Sequence, residues 1–146
     1  MRRNRLLRSL FLLCALVVGS TSAWATTYQL TKVSYVKDGG LYVFEQSGHV
    51  MSNSVSSKAL QTTNSYQTTG LTGTESYVWM LEVSTTTGRF YMKNVSLSTN
   101  KYLNNASEKT DMSFGSKSSV WTFAFTDGFA LISNPNNSNR FLGYAN

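Results

Sequence analysis

Val120-Trp121-Thr122-Phe123-Ala124-Phe125, then Asp127-Gly128, then Phe129-Ala130-Leu131-Ile132, is the stretch that decides the fold. Two apolar runs flank a turn pair that reaches left-handed backbone angles without strain, the mark of a tight β-hairpin. The same order stands earlier, in Val78-Trp79-Met80-Leu81-Glu82-Val83 followed by Phe90-Tyr91-Met92-Lys93. Asn139-Arg140-Phe141-Leu142 likewise echoes Asn100-Lys101-Tyr102-Leu103. The chain therefore reads as an internal repeat over 78–119 and 120–146. The alignment places Trp121, Phe123 and Phe125 on one face, matching Trp79, Leu81 and Val83. It sets Phe129 and Leu131 in the places of Phe90 and Met92.

A unit of a few short strands cannot bury its apolar face alone, so the two copies are expected to share one interior with the strands before them. Those strands are predicted at Tyr28 to Val36, Leu41 to Gln46 and His49 to Ser54. Asp38-Gly39-Gly40 forms the first turn, and Ser47-Gly48 a two-residue hairpin loop that sets Glu45 opposite Val50. Ser56 to Gly73 is legible only as one short strand near Leu60 to Thr63 or a long polar connection. Short strands are expected again at Lys101 to Leu103 and Met112 to Phe114. No window carries apolar residues at helical spacing for more than one turn. The expected fold class is all-β, a small closed or partly open barrel of repeated short antiparallel strands.

The first 25 residues read differently. Arg2, Arg3, Arg5 and Arg8 precede the apolar run Leu10 to Val18, and Ala23-Trp24-Ala25 offers a small-residue cleavage site. This is the pattern of a secretory signal peptide, too short to span a membrane. The expected product is a single domain over 26–146, secreted or held at the cell surface. Four of the thirteen basic residues lie in the leader, so nine remain against seven acidic residues, a net of +2. Those nine are scattered and leave no electrostatic footprint for nucleic acid. Cys14, the one cysteine, also lies in the leader, so no disulfide is expected.

The pattern Trp121, Phe123, Gly128, Phe129, Leu131, Phe141 and Leu142 resembles one lobe of a ricin-type β-trefoil, although the Gln-x-Trp signature of that family is absent. A broader resemblance covers nearly the whole chain after the leader. Val50 to Asn53, Ala59 to Thr63, Tyr77 to Glu82, Phe90 to Asn105, Ala130 to Asn134 and Arg140 to Gly143 are similar to an uncharacterised module that recurs in secreted and surface proteins of Bacteroidetes. The ricin-type likeness implies a β-trefoil-like fold, and the broader resemblance implies a non-catalytic, all-β extracellular module, often one piece of a larger protein. Such modules usually continue past the Arg-Phe-Leu-Gly segment, which implies a C-terminally truncated module here. The resemblance supplies no ligand or active site.

The residues themselves carry little catalytic chemistry. His49 is the only histidine, too few for a zinc site and badly placed beside a turn for Ser-His-Asp catalysis. No catalytic residue, metal site or cofactor is expected. A pair of carboxylates would serve a small glycoside hydrolase, the least favoured reading. Asp38 and Asp127 are better explained as turn formers and Glu82 as an outward charge beside a core face. The stronger polar features are the equivalent loops, which place Asn100, Lys101 and Tyr102 in one copy and Asn139 and Arg140 in the other, with Tyr144 beyond. An aromatic ring beside amide and cationic donors is what sugar recognition uses. The expected function is a secreted, non-enzymatic binding module for a glycan or cell-surface polymer. The alternative is a structural or protein-interaction domain that docks a partner chain.

Overall fold

A computed structural model describes residues 12–18, 27–105, 110–137 and 140–142, with the backbone alone for 12–18 and for Arg140. The chain is all-β among the described residues. Its strands are β1 (Leu12–Val18), β2 (Tyr28–Lys32), β3 (Leu41–Gln46), β4 (His49–Ser56), β5 (Ala59–Thr63), β6 (Thr69–Leu71), β7 (Trp79–Val83), β8 (Phe90–Asn94), β9 (Tyr102–Asn105), β10 (Met112–Gly115), β11 (Thr122–Thr126), β12 (Phe129–Asn134) and β13 (Arg140–Phe141). The first ten belong to one sheet and the last three to another, with antiparallel pairing throughout.

Seven strands, linked by the successive pairings β10-β9-β8-β7-β3-β4-β5, wrap into a nearly closed antiparallel barrel. Its two ends meet where Met112 N–H donates to the Lys58 carbonyl at 2.8 Å and Lys58 Nζ lies 2.9 Å from Asp111 Oδ2. Closure of this kind removes the exposed strand edges that otherwise template aggregation. The hairpins have the expected turns. Ser47 and Gly48 have φ of 53° and 78°, and Asp127 and Gly128 have 48° and 79°. Positive φ at both central residues matches the right-handed twist of the flanking strands. Glu45 sits opposite Val50, as the loop length requires.

Alternation then sorts the side chains. Trp79 and Leu81 of β7, Phe90 and Met92 of β8 and Leu103 of β9 point inward with Tyr42, Phe44, Met51, Trp121, Ala130 and Ile132. Both buried indoles therefore lie in one core. Each donates its ring N–H to a main-chain carbonyl, Trp79 to Met51 at 3.0 Å and Trp121 to Leu103 at 3.1 Å. Burying side chains of this size contributes about 1.5–3 kcal/mol apiece. β3 is covered on both faces, since Val43 joins a second cluster with Val50, Leu71, Tyr77 and Val78.

Four expectations need correction or extension. In β12 the inward residues are Ala130 and Ile132, at 1 % and 0 % exposed, whereas Phe129 and Leu131 are half-buried. The β11–β12 register sets Thr126 opposite Phe129, whereas β7–β8 sets Val83 opposite Phe90. The second hairpin is thus offset by one residue from the sequence alignment, and a one-residue slip exchanges the faces. Tyr28 to Val36 is a strand only as far as Lys32. Ser56 to Gly73 contains two strands, β5 and β6. Finally, Leu12–Val18, read as the apolar part of a leader, is paired as strand β1 between β2 and β3. The basic residues and the cleavage site of that leader lie outside the described residues.

Candidate functional site

The outer face of β7, β8 and β9 carries the densest polar and aromatic cluster among the described residues. The alternation that turns Trp79, Leu81, Phe90, Met92 and Leu103 inward turns Glu82, Tyr91, Lys93 and Tyr102 outward. Register brings them together: Glu82 lies opposite Tyr91, and Lys93 opposite Tyr102. Lys117 reaches over them from the loop after β10.

Glu82 is the centre. Its Oε2 accepts a hydrogen bond from Tyr102 Oη at 3.0 Å and lies 2.6 Å from Lys117 Nζ; its Oε1 lies 3.3 Å from Lys93 Nζ. Burial pushes the carboxyl pKa up, but hydrogen bonds from Lys117, Tyr102 and Lys93 and the Lys117 charge outweigh it and hold the group below its ordinary value. The hydrogen bond to Glu82 in turn raises the Lys117 pKa. The Tyr91 and Tyr102 rings meet edge to face, centroids 6.3 Å apart at 77°, and Lys117 Nζ stands 5.3 Å from both centroids. The result is a half-buried carboxylate flanked by two ammonium groups and two phenol rings.

Of the residues expected from sequence, Tyr102 belongs to this cluster. Lys101 precedes it, half-buried, and its carbonyl accepts the Asn94 N–H at 2.8 Å. Asn100 is exposed in the turn before, with φ of 46°. Arg140, in β13, pairs through its backbone with Asn134 of β12. Asn139 and Tyr144 lie outside the described residues. The loop after β12 touches β9 instead through the Asn137 side-chain amide, which donates to Asn105 Oδ1. Glu82, Tyr91, Lys93 and Lys117 were not among the expected site residues. Strand alternation in Arg89 to Val95 does place Tyr91 and Lys93 on one outward face; nothing in the sequence points Lys117 at them.

Three other carboxylates hold structure. Asp38 Oδ1 accepts the Val83 N–H at 2.8 Å and Glu45 Oε1 the Gly48 N–H at 2.5 Å. Glu75 Oε1 accepts from Thr72 N and Oγ1 at 2.6 and 3.0 Å. Burial works to raise the Glu75 pKa, and these bonds bring it below the ordinary value. No three His, Cys, Asp or Glu side chains gather into a metal-holding group among the described residues. His49 sits half-buried at the start of β4, opposite Gln46. An open groove of about 380 Å³ is lined by Lys32, Val33, Ser34 and Phe125 to Gly128. No helix among the described residues is long and apolar enough to cross a membrane.

Comparison with protein-family models, curated proteins and solved structures finds no match to this chain.

Proposed function

We propose that this chain is a secreted, non-enzymatic binding module that holds a glycan on the outer face of β7, β8 and β9. The observation that carries the reading is the Tyr91–Tyr102 edge-to-face pair beside Glu82. Phenol rings offer apolar faces to sugar C–H groups, while a carboxylate accepts from hydroxyls and ammonium groups donate to ring and glycosidic oxygens. Two cations around one anion favour a neutral or mildly acidic saccharide. Lys117 covers the rings from a loop with its side chain 46 % exposed. A surface ion pair of this kind is worth no more than about 1 kcal/mol, so an incoming sugar displaces it at small cost. The contacts described above for Asp38, Glu45, Glu75 and Glu82 weigh against a hydrolase, because each carboxylate is committed to a turn, a backbone group or an ion pair.

The two hairpins also support the reading of repeated, trefoil-like lobes. Asn94 is fully buried opposite Trp79, and Asn134 is buried at the matching place in β12. Each accepts a hydrogen bond from the backbone N–H two residues on, at Ser96 and Asn136.

The test is a glycan array together with pull-down on insoluble polysaccharides, using folded protein. Binding that falls tenfold or more in Tyr91→Ala and Tyr102→Ala, with folding intact, supports the reading. No binding to any saccharide, or binding indifferent to both substitutions, removes it. The alternative, a protein-interaction domain, is favoured by the way β1 sits in the sheet.

A further inference from the structure

We propose that, in the secreted protein, the edges of β2 and β3 that face each other form a slot that accepts an extended apolar strand from a different protein. The inference rests on the secretory reading of residues 1–25, and its test separates that premise from the slot itself.

In this structure the slot is filled by the apolar stretch of the leader. β1 pairs with β2 from Cys14 opposite Lys32 to Val18 opposite Tyr28. It pairs with β3 from Leu12 opposite Glu45 to Ala15 opposite Tyr42. Removal of residues 1–25 takes β1 away and leaves both walls without their partner.

The walls cannot simply close. β1 is antiparallel to both neighbours, so β2 and β3 run in the same direction, two strand spacings apart, roughly 9–10 Å. β2 is held from its far side: Tyr28 and Gln29 pair with Leu71 and Thr69 of β6, and Leu30 N–H donates to the Thr68 carbonyl at 2.8 Å. The connector to β3 is fixed on β7, where Gly39 N–H donates to the Leu81 carbonyl at 2.8 Å and Leu81 N–H to the Gly40 carbonyl at 3.0 Å. The other edge of β3 is already used. Tyr42 pairs with Trp79 as well as Ala15, and Glu45 with Val50 as well as Leu12, so β7 and β4 share the edge that β1 does not touch.

The vacant edge would then run along Val43 and Phe44, both fully buried with β1 in place. Unpaired main-chain groups beside apolar side chains are the condition for strand addition. The occupant must be extended, about seven residues long, apolar, free of proline and antiparallel to β3, as β1 is. Residues 26–146 do not supply it: they hold no second apolar run of that length, and their longest, Tyr77 to Leu81, is core. A second copy would have to withdraw a core strand to donate one.

The test uses the full chain, expressed with its leader in a bacterial host that exports it and recovered outside the cytoplasm. N-terminal sequencing is expected to begin at Thr26. A synthetic peptide spanning Leu12 to Val18, with flanking lysines for solubility, is then titrated in. Expected are saturable binding, a melting point raised by about 5–10 °C at a hundredfold excess over Kd, and slowed amide exchange in Tyr28–Lys32 and Tyr42–Glu45 together. The same peptide carrying Ala15→Pro should not bind, because proline removes a ladder donor and disrupts the strand. An N-terminus retained at Met1 overturns the premise. A processed N-terminus with no peptide binding, or with protection of one wall only, overturns the slot and leaves the glycan reading standing. A stable dimer with both walls protected in the absence of peptide overturns the assignment to a different protein.

Discussion

The backbones of Phe90 and Trp121 exchange two hydrogen bonds, Phe90 N–H to the Trp121 carbonyl at 2.9 Å and Trp121 N–H to the Phe90 carbonyl at 2.8 Å. This bridge fastens the β7–β8 hairpin to the segment that enters β11, and so joins the two sheets. Side chains reinforce it: the Trp121 indole is 1 % exposed, and Phe123 meets Phe90 edge to face at 5.9 Å.

Trp121→Ala should therefore cost about 3–5 kcal/mol, a large part of the stability of a domain this size. Trp121→Phe keeps much of the packing but leaves the Leu103 carbonyl without its indole donor, at about 1–3 kcal/mol. Denaturant midpoints rank the two. A Trp121→Ala protein that melts cooperatively within a few degrees of the parent would show that the sheets are joined elsewhere.

Asn94 ties four segments together from a fully buried position. Its side-chain amide donates to the Ser76 carbonyl at 2.7 Å and the Val78 carbonyl at 3.3 Å. Its oxygen accepts from Ser96 N at 3.1 Å, Ser96 Oγ at 2.8 Å and Asn53 Nδ2 at 3.2 Å. Asn94→Ala strands several buried donors and acceptors, and a loss of roughly 3 kcal/mol or more is expected from groups that each cost about 1–3 kcal/mol. Asn94→Asp should fare no better, because two of its contacts are carbonyls that need a donor. Equal denaturation midpoints for Asn94→Ala and the parent would contradict this.

The strands were legible wherever a turn pair and alternation agreed. Ser47-Gly48 and Asp127-Gly128 set their hairpins, and Trp79 with Leu81 showed the inner face of β7. The sequence misleads at β12 because Phe129-Ala130-Leu131-Ile132 is apolar on both faces, so hydrophobicity alone does not choose the register, and the repeat alignment with Phe90 and Met92 sets Phe129 and Leu131 on the wrong face. β6 was missed because Thr69-Gly70-Leu71 has a single bulky residue, and it becomes a strand only by pairing with β2. At the candidate site Tyr102 was legible from its polar turn, whereas Lys117 is brought by a loop whose path no local pattern encodes.

The Glu82 carboxyl lies below its ordinary pKa in the folded chain, so its contribution is present above the unfolded value near 4.3 and is lost as pH falls through the folded one. Parent and Glu82→Gln should differ in melting temperature at pH 7, with the parent higher. The gap should narrow as pH falls below about 4 and close once the folded carboxyl is itself protonated. Glu75 is also held low but is present in both proteins, so the difference between them reports Glu82 alone. Added salt should narrow the gap at neutral pH, since the Lys117 side chain is open to solvent over nearly half its surface. A gap constant from pH 7 to 3 would mean that Glu82 acts through packing rather than charge.

Gly40 and Gly48 separate close approach from backbone angle. A Cβ on Gly40 would lie 2.6 Å from Tyr42 Cε2 and 2.7 Å from Cζ. That ring is 2 % exposed, stacks on Phe44 at 6.4 Å and accepts the Lys37 N–H at its hydroxyl at 2.9 Å. It has no free direction in which to give. A Cβ on Gly48 meets nothing, and there only the φ of 78° opposes substitution. Gly40→Ala should therefore cost roughly 2–3 kcal/mol through overpacking, against about 1 kcal/mol for Gly48→Ala through its backbone. Urea denaturation of the two single variants measures the difference. If Gly48→Ala proved the costlier, the Tyr42 ring would have to be mobile, and the junction it seals between the β2–β3 connector and β7 would be looser than its hydrogen bonds indicate.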